Sequence, residues 1–245
     1  MKYKLAPEPF KSRVGSKWVK VGKINTHYLV GGEGSPLVLI HGSASCAADD
    51  WGHNLESLAQ FHRIYAPDLV GFGETDRPRV DYTFELLSSF FAQFLDALNL
   101  ESASLMGHSL GGGIALGFAL RQPERVEKLV LVDSVGIVED FALVGKLLSP
   151  FLTLKARLKN DETYLSMVRN QNKSKVSFLD RLSEISTTTL IVWGELDGYL
   201  SVKLAHKAHL LIENSQLCVF KRCWHAPQKE KPEEFNRTVL DFLRQ

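Results

Sequence analysis

Residues 105–113 read Leu-Met-Gly-His-Ser-Leu-Gly-Gly-Gly, which places a serine between two glycines directly after an apolar run. Glycine loses more conformational entropy on folding than other residues, so its use here indicates that the backbone needs room around Ser109. The apolar run predicts a buried strand, and the residues that follow have a helical pattern. A sharp turn from strand to helix would lift the Ser109 hydroxyl above a sheet as an exposed nucleophile. The alternative is a glycine-rich helix start in which Ser109 is the capping residue.

Working outward, seven further short runs are rich in Val, Ile and Leu or alternate in polarity, as strands do. Together with 102–107, the predicted strands are 17–22, 24–32, 36–41, 63–68, 126–133, 188–195 and 215–221. Helical patterns lie between them, at 84–98, 110–122, 201–212 and 230–244. This alternation predicts an α/β fold, a mostly parallel eight-stranded sheet flanked by helices and joined by right-handed crossovers.

Residues 138–186 interrupt the alternation, because they contain no convincing strand. Their apolar residues recur at helical spacing, at Phe141, Val144, Leu147, Leu148, Phe151, Leu152, Tyr164, Leu165 and Val168. An insertion after the sixth strand would lie above the carboxyl ends of the strands, where ligands bind in open α/β sheets. We therefore predict a core of residues 1–137 and 187–245 with a short helical lid, 138–186. A helical extension packed at a sheet edge is the alternative.

The amino-acid composition makes some classes of function less plausible than others. Hydrophobic residues are 44%, charged residues 23% and the formal net charge +1, which gives no reason to expect nucleic acid. No apolar run approaches the roughly 18 residues of a membrane helix, and no secretory signal is evident. Cys46, Cys218 and Cys223 form no CxxC pair and are predicted to be free, buried or half-buried thiols. We expect a cytoplasmic monomer or homodimer whose substrate is a small molecule. We expect it to bind neither nucleic acid nor membrane and to need no cofactor or metal.

A nucleophilic serine needs a base, and His225 fits best among the eight histidines. It follows the last predicted strand, and loops at strand carboxyl ends form the sites of such sheets. His206 and His209 lie in a helical pattern, whereas His108 flanks the turn, so its ring should not face the serine hydroxyl. The structural alternative for His225 is a loop histidine bonded to a backbone carbonyl.

The base in turn needs a carboxylate, which fixes its tautomer and stabilises the imidazolium. Asp197 comes directly after the strand 188–195, at the predicted carboxyl edge of the sheet. Asp133 ends the strand before it and is the alternative. We favour Asp197.

An oxyanion hole needs backbone N–H donors close to the reacting carbonyl oxygen. Leu110, directly after the serine, is predicted to supply one donor. Ser43, which follows His41 and Gly42 at the end of a predicted strand, is predicted to supply the other, with Ala44 as the fallback. The alternative for this segment is an ordinary strand-to-loop turn.

Together these features resemble the α/β-hydrolase family over nearly the whole chain, from about residue 20 to the end. The similar segments are LIHGS (39–43), APDLVGFGETDRP (66–78), GHSLGGG (107–113), GELD (194–197) and RCWHAPQKEKPEEF (222–235). The order Ser, Asp, His along the chain is also that of the family. The resemblance implies a structural role for the loop from Asp68 to Asp76. Dehalogenases and epoxide hydrolases of this fold have aspartate where this chain has Ser109.

Within the family, several segments are similar to hydrolases that cleave carbon–carbon bonds in ring-cleavage products of aromatic degradation. The chain differs from them at His108, where they usually have asparagine, at Ala226, where they usually have tryptophan, and in its shorter lid. We therefore expect a carboxylesterase-like serine hydrolase that cleaves esters of small to medium apolar acyl or aryl groups through an acyl-enzyme. The alternatives are a carbon–carbon hydrolase of meta-cleavage-product type and a ligand-binding receptor on the same fold. The excess of basic residues in the lid is typical of a solvated face and alternatively favours an anionic substrate.

Overall fold

The structure is a computed structural model and describes residues 14–137, 150, 153–154, 156–158, 161–171 and 176–245. Part of the predicted lid lies outside these ranges. The apolar positions concerned are Phe141, Val144, Leu147, Leu148, Phe151, Leu152 and the side chain of Val168.

Within the described residues, eight strands form one sheet. They are β1 (Val14–Val21), β2 (Ile24–Gly31), β3 (Pro36–Ile40), β4 (Arg63–Pro67), β5 (Ala103–His108), β6 (Val126–Val132), β7 (Thr189–Gly194) and β8 (Ser215–Phe220). Their order is β1-β2-β4-β3-β5-β6-β7-β8. The hairpin β1–β2 and the pair β2–β4 are antiparallel, and the pairs from β4 through β3 to β8 are parallel. The predicted mostly parallel eight-stranded sheet is confirmed.

The helices flank this sheet. They are α1 (Ala47–Trp51), α2 (Leu55–Leu58), α3 (Phe84–Ala97), α4 (Leu110–Arg121), α5 (Glu162–Gln171), α6 (Lys203–Leu211), α7 (Pro227–Glu230) and α8 (Pro232–Leu243). Helices α1 and α2 were not predicted, because four or five residues are too few to show a helical period. The predicted helix 230–244 begins instead at Pro232, because proline suits the first turn of a new helix.

Helix α3 shows how local sequence fixes an element. Its N-cap Thr83 accepts a hydrogen bond from the N–H of Leu86 at 3.1 Å, which satisfies one of the free donors of the first turn. Phe91 and Phe94 lie on its inner face and are fully buried. The helix therefore covers the sheet with one apolar stripe.

Both faces of the sheet are covered. On one face, α3, α4 and α6 pack over a core that includes Phe91, Phe118 and Trp193. On the other, α1, α2 and α8 pack over a second core that includes Trp51 and Phe235. Strands β5 and β7 are buried along their whole length, as expected of central parallel strands. None of the helices in the described ranges has both the length and the apolar character needed to cross a membrane.

The described part of 138–186 contains α5 and a 3₁₀ turn, Leu179–Glu184. Ser166 Oγ accepts a hydrogen bond from the N–H of Tyr82 at 2.9 Å, and Asn170 Nδ2 donates to the carbonyl of Tyr82 at 3.2 Å. Helix α5 therefore packs against the loop that follows β4. The division into core and lid stays a prediction.

Backbone contacts fix the turn from β5 to α4. A Cβ added to Gly107 would lie 2.3 Å from the carbonyl oxygen of Gly111, and one added to Gly111 would lie 2.1 Å from that of Ile40. Side chains are excluded from both positions because strand β3, strand β5 and helix α4 meet there backbone to backbone. The glycines therefore serve the close packing that the sequence pattern indicated.

We expect Gly111→Ala to lower the free energy of unfolding by about 3 kcal/mol, at the upper end of typical overpacking costs, because the clash is with backbone. Urea unfolding followed by circular dichroism measures this change.

Gly15→Ala is the matched control. An added Cβ there meets no atom within 4 Å, and restricting the unfolded chain should raise stability by about 0.5 kcal/mol. Equal stabilities of the two variants would contradict the packing described for the turn.

Candidate active site

Ser109 lies between the last residue of β5 and the first residue of α4. Its backbone has φ 51° and ψ −112°, a conformation that a residue with a side chain rarely adopts. Ser109 makes no side-chain capping hydrogen bond, unlike a typical helix N-cap. Its Oγ instead lies 3.1 Å from Nε2 of His225. The strained turn therefore presents the hydroxyl to the predicted base.

His225 and Asp197 continue this contact into a chain of hydrogen bonds. His225 Nδ1 donates to Asp197 Oδ2 at 2.8 Å, while Nε2 faces Ser109 Oγ. Asp197 Oδ1 accepts from the N–H groups of Tyr199 and Leu200 at 2.8 and 2.9 Å. These bonds fix the carboxylate, and the carboxylate fixes the tautomer of His225 with its proton on Nδ1. The structure thus brings together the three side chains chosen from the sequence.

The surroundings of His225 favour its neutral form. Burial lowers the pKa of His225, the hydrogen bond to Asp197 opposes this effect, and the positive charge of His108 lowers the pKa further. Burial alone would raise the pKa of Asp197, but the hydrogen bond and charge of His225 bring it below its usual range. A neutral imidazole next to an ionised carboxylate can accept a proton from the serine.

Asp133, the alternative acid, lies close to Asp197 and differs from it in protonation. Its Oδ1 accepts from the N–H of Gly194 at 2.9 Å, and its buried Oδ2 has no hydrogen-bond partner assigned among the described residues. Burial, and then the charge of Asp197, raise the pKa of Asp133 well above its usual range. A protonated carboxyl that faces Asp197 accounts for both observations. The structure therefore favours Asp197 as the partner of His225.

Asp133, Asp197 and His225 also have ligand atoms within 4.8 Å of one another, the spacing of a possible metal site among the described residues. However, Asp197 already accepts three hydrogen bonds. A neutral Asp133 is also a weak ligand, because carboxyl groups bind metals as carboxylates. The arrangement fits proton sharing better than metal binding.

The predicted oxyanion donors lie in the helix start after Ser109 and in the loop after β3. Leu110 is the first residue of α4, so its N–H has no acceptor within the helix. Gly42 lies against the serine turn, because an added Cβ would fall 3.3 Å from Cβ of Ser109. Ser43 follows Gly42 directly, and Ala44 has a positive φ of 56°. The roles of the Leu110 and Ser43 N–H groups stay a prediction.

A buried pair behind the serine was not predicted. His108 Nδ1 lies 2.8 Å from Asp50 Oδ2, and His108 Nε2 lies 2.8 Å from the carbonyl oxygen of His225. Asp50 also accepts from the N–H of Gly42 at 2.7 Å and from Gln228 Nε2 at 3.2 Å. Burial would raise the pKa of Asp50, but the charge and hydrogen bond of His108 bring it far below its usual range. As expected, the ring nitrogens of His108 are directed away from the serine hydroxyl.

A second serine–histidine–aspartate chain links the edge strand β1, its neighbour β2 and the loop after β4. Ser16 Oγ lies 2.6 Å from His27 Nε2, and His27 Nδ1 lies 2.8 Å from Asp68 Oδ2. Ser16 is exposed on the edge strand β1, and no helix begins after it. Asp68 also accepts from the N–H groups of Ala47 and Glu74, which fits the structural role that the resemblance implies. Ser16 therefore contacts a histidine that is bound to an aspartate, as Ser109 does, but it does not precede the N-terminus of a helix.

We expect Asp50→Ala to lower the free energy of unfolding by about 3–5 kcal/mol at pH 7, because it leaves His108 and Gly42 without their buried acceptor. The folded-state pKa of Asp50 is lowered, so this stability is present above the unfolded-state carboxyl pKa of about 4 and is lost as pH falls below it. Urea unfolding at pH 7 and pH 3.5 measures the difference.

Asp49→Ala is the control from the neighbouring position. Asp49 is exposed and binds Lys229 Nζ at 3.0 Å, a surface ion pair worth less than about 1 kcal/mol. A loss from Asp50→Ala no larger than that from Asp49→Ala would show that the buried network contributes little.

The chain is similar to known proteins over most of its length. The model of the alpha/beta hydrolase fold family matches residues 35–169. A 2-hydroxy-6-oxo-2,4-heptadienoate hydrolase of Pseudomonas putida is 33% identical, with 93% of this chain and 95% of the relative aligned. That alignment spans 263 positions, more than the 245 residues of this chain, so the relative carries insertions.

Two solved structures are also similar. A meta-cleavage product hydrolase of Pseudomonas fluorescens has a TM-score of 0.78 and 29% identity, covering 95% of this chain and 98% of its own. A naproxen esterase of Bacillus subtilis has a TM-score of 0.80, covering 95% and 92%, and its 21% identity shows the fold alone. The chain therefore belongs to the α/β-hydrolase family and is a hydrolase.

Proposed function

We propose that this hydrolase is a serine hydrolase that cleaves carboxylic esters of small to medium apolar acyl or aryl groups. The observation that carries the proposal is the chain of hydrogen bonds from Ser109 through His225 to Asp197, with distances of 3.1 and 2.8 Å. This chain begins at a strained turn in front of a helix, where backbone N–H groups are available for an oxyanion.

The mechanism follows from the proton positions. Neutral His225 takes the proton of Ser109 as Oγ attacks the ester carbonyl, and Asp197 stabilises the resulting imidazolium. The N–H groups of Leu110 and Ser43 bind the oxyanion. His225 then gives its proton to the departing alkoxide, which leaves the acyl group on Ser109. Water, activated by His225, releases the acid and restores the serine.

We also propose that residues 138–186 form a lid over this site, with 1–137 and 187–245 as the core. The position of α5 supports this. Burial, and then the neighbouring Tyr199, raise the pKa of Tyr164 on α5, and the ring of Tyr199 lies 5.0 Å from that of His225. This electrostatic effect supports a position of α5 on the side of the fold where His225 lies.

The charge of the site supports a neutral substrate. Among the described residues around Ser109, the directions of the pKa shifts favour anionic Asp50 and Asp197, a cationic His108, and neutral Asp133 and His225. The buried groups thus carry one more negative charge than positive. No described lysine or arginine is hydrogen-bonded or ion-paired to Ser109 or His225. An uncharged ester enters such a site without a repulsive charge.

Cleavage of a carbon–carbon bond is the second candidate, favoured by the Pseudomonas putida relative and its named substrate. It needs the same serine, but the leaving group is a carbanion rather than an alkoxide, and the substrate carries a carboxylate. A cation for this carboxylate would have to come from the basic lid. All five lysines of residues 138–186, Lys146, Lys155, Lys159, Lys173 and Lys175, lie outside the described residues.

We expect the wild-type protein to hydrolyse p-nitrophenyl acetate, butyrate and octanoate, and Ser109→Ala to lower kcat by at least about 10³-fold, because the nucleophile is lost. The same assays include 2-hydroxy-6-oxo-2,4-heptadienoate, whose cleavage is followed by absorbance. A higher kcat/KM for this compound than for every ester would replace the first candidate by the second. Inactivity on both classes would instead favour the ligand-binding receptor.

Ser16→Ala is the matched control, because Ser16 also lies on a histidine that is bound to an aspartate. The activity of Ser16→Ala should stay within about twofold of wild type, since Ser16 lies in an exposed edge strand and precedes no helix N-terminus. Loss of activity in this variant, with activity retained in Ser109→Ala, would assign the nucleophile to Ser16.

The two aspartates give a separate prediction. We expect Asp197→Asn to lower kcat by about 10⁴-fold, because an amide cannot hold the His225 tautomer or stabilise the imidazolium. Asp133→Asn replaces one neutral group by another and keeps an acceptor for Gly194, so kcat should fall by less than about tenfold. The reverse order of effects would make Asp133 the catalytic acid.

A further inference from the structure

The hydrogen-bond partners of the buried histidines fix how many protons each ring carries. A ring nitrogen that faces an N–H donor must accept, and one that faces a carbonyl must donate. His41 Nε2 accepts from the N–H of Leu69 at 3.0 Å, and its Nδ1 donates to the carbonyl of Gly42 at 2.7 Å. One donor and one acceptor make His41 a neutral imidazole.

His225 has the same balance. Nδ1 donates to Asp197, and Nε2 faces the Ser109 hydroxyl, which can donate its proton. His225 is therefore also neutral in the resting site.

His108 differs, because both of its ring nitrogens face acceptors. Nε2 lies 2.8 Å from the carbonyl oxygen of His225, which can only accept. Nδ1 lies 2.8 Å from Oδ2 of Asp50, a carboxylate that already accepts from the N–H of Gly42 and from Gln228. Both nitrogens of His108 must carry hydrogen to satisfy these acceptors, so the ring is an imidazolium.

This charged ring lies next to the base, with ring centroids of His108 and His225 5.1 Å apart. We propose that His108 is a permanently charged positioning residue, which anchors the backbone of His225 and keeps the ring of His225 neutral until Ser109 releases its proton. The predicted effect of His108 on the reaction rate rests on the proposed serine hydrolase function. The predicted charge of His108 is independent of that function.

The titratable groups around both rings come from several elements. His108 faces Asp50 on α1, His41 after β3, Asp197 after β7 and His225, and Asp133 and Glu230 interact with each other near Asp197. Burial would lower the pKa of His108, but the charge and hydrogen bond of Asp50 raise it overall. Removing the charge of His108 should therefore make His225 easier to protonate.

The charge can be tested without any substrate. Nuclear magnetic resonance of protein labelled with ¹⁵N-histidine should show one ring with both nitrogens protonated from pH 6 to pH 9, and these signals should vanish in His108→Asn. His108→Gln provides a second variant for the assignment if the first does not fold. A His108 ring with an unprotonated nitrogen at pH 7.5 would overturn the proposal.

The positioning role is tested by the pH dependence of kcat/KM, which reports the ionisation of the free enzyme. We expect the acid limb to move upward by about 1 pH unit in His108→Asn, the order expected for a nearby charge that Asp50 partly offsets. The amide nitrogen of asparagine lies where Nδ1 of His108 lies, next to Asp50, whereas that of glutamine lies where Nε2 lies. His108→Gln therefore retains a donor for the carbonyl of His225, and its acid limb should move by the same amount if the charge, not the anchor, causes the shift.

Gln228→Met is the control within the same network. It removes a neutral hydrogen bond to Asp50 at 3.2 Å without changing a charge, so its acid limb should coincide with that of wild type. An unshifted limb in His108→Asn, or an equal shift in Gln228→Met, would overturn the positioning role. If no substrate is turned over, the proposed function fails, and the resonance experiment alone decides the charge of His108.

Discussion

The Asp50 carboxylate is the interaction on which the geometry of the site depends. It accepts hydrogen bonds from Gly42 after β3, from His108 at the end of β5 and from Gln228 on α7. These three segments carry the predicted oxyanion loop, the turn of Ser109 and the loop of His225. An active site built from separate loops needs such a link, because loops alone hold position poorly. Since Asp50 is buried and binds a charged histidine, the link is also electrostatic.

Gly107 and Gly111, at the turn from β5 to α4, constrain the position of the Ser109 side chain. Asp50 sets where the loops lie, whereas backbone contacts between β3, β5 and α4 set where the serine points. The comparison of Ser109 with Ser16 shows why both are needed. Each serine faces a histidine that is bound to an aspartate, at similar distances. The two differ in backbone, because Ser16 lies in an exposed edge strand and Ser109 precedes a helix. We therefore expect the backbone, and not the residue types of the triad alone, to decide which serine acts as the nucleophile.

Most of the fold and the chain from Ser109 to Asp197 could be predicted from the sequence, because their signals are local. Buried strands have apolar runs, and the ends of parallel strands converge at one edge of a sheet. The pair of His108 and Asp50 could not be found this way, because its partners are 58 residues apart and Asp50 lies in a helix too short to have a period. The bond from Gln228 to Asp50 spans 178 residues. Such contacts exist only once the chain has folded.

The charge states also bear on the choice between an ester and a carboxylate substrate. During attack on a carbonyl, a proton moves from Ser109 to His225 while negative charge develops on the carbonyl oxygen, so the net charge of the site does not change. The imidazolium of His108 opposes protonation of His225 but favours the nearby oxyanion, and Asp197 does the reverse. His108 and Asp197 therefore act in opposite directions on each of the two charges that develop during attack on a neutral ester. A substrate carboxylate would add a negative charge to buried groups that already carry an excess of one, and it would need a cation from the lid to enter. Whether the lid supplies that cation is therefore the physical difference between the two candidate reactions.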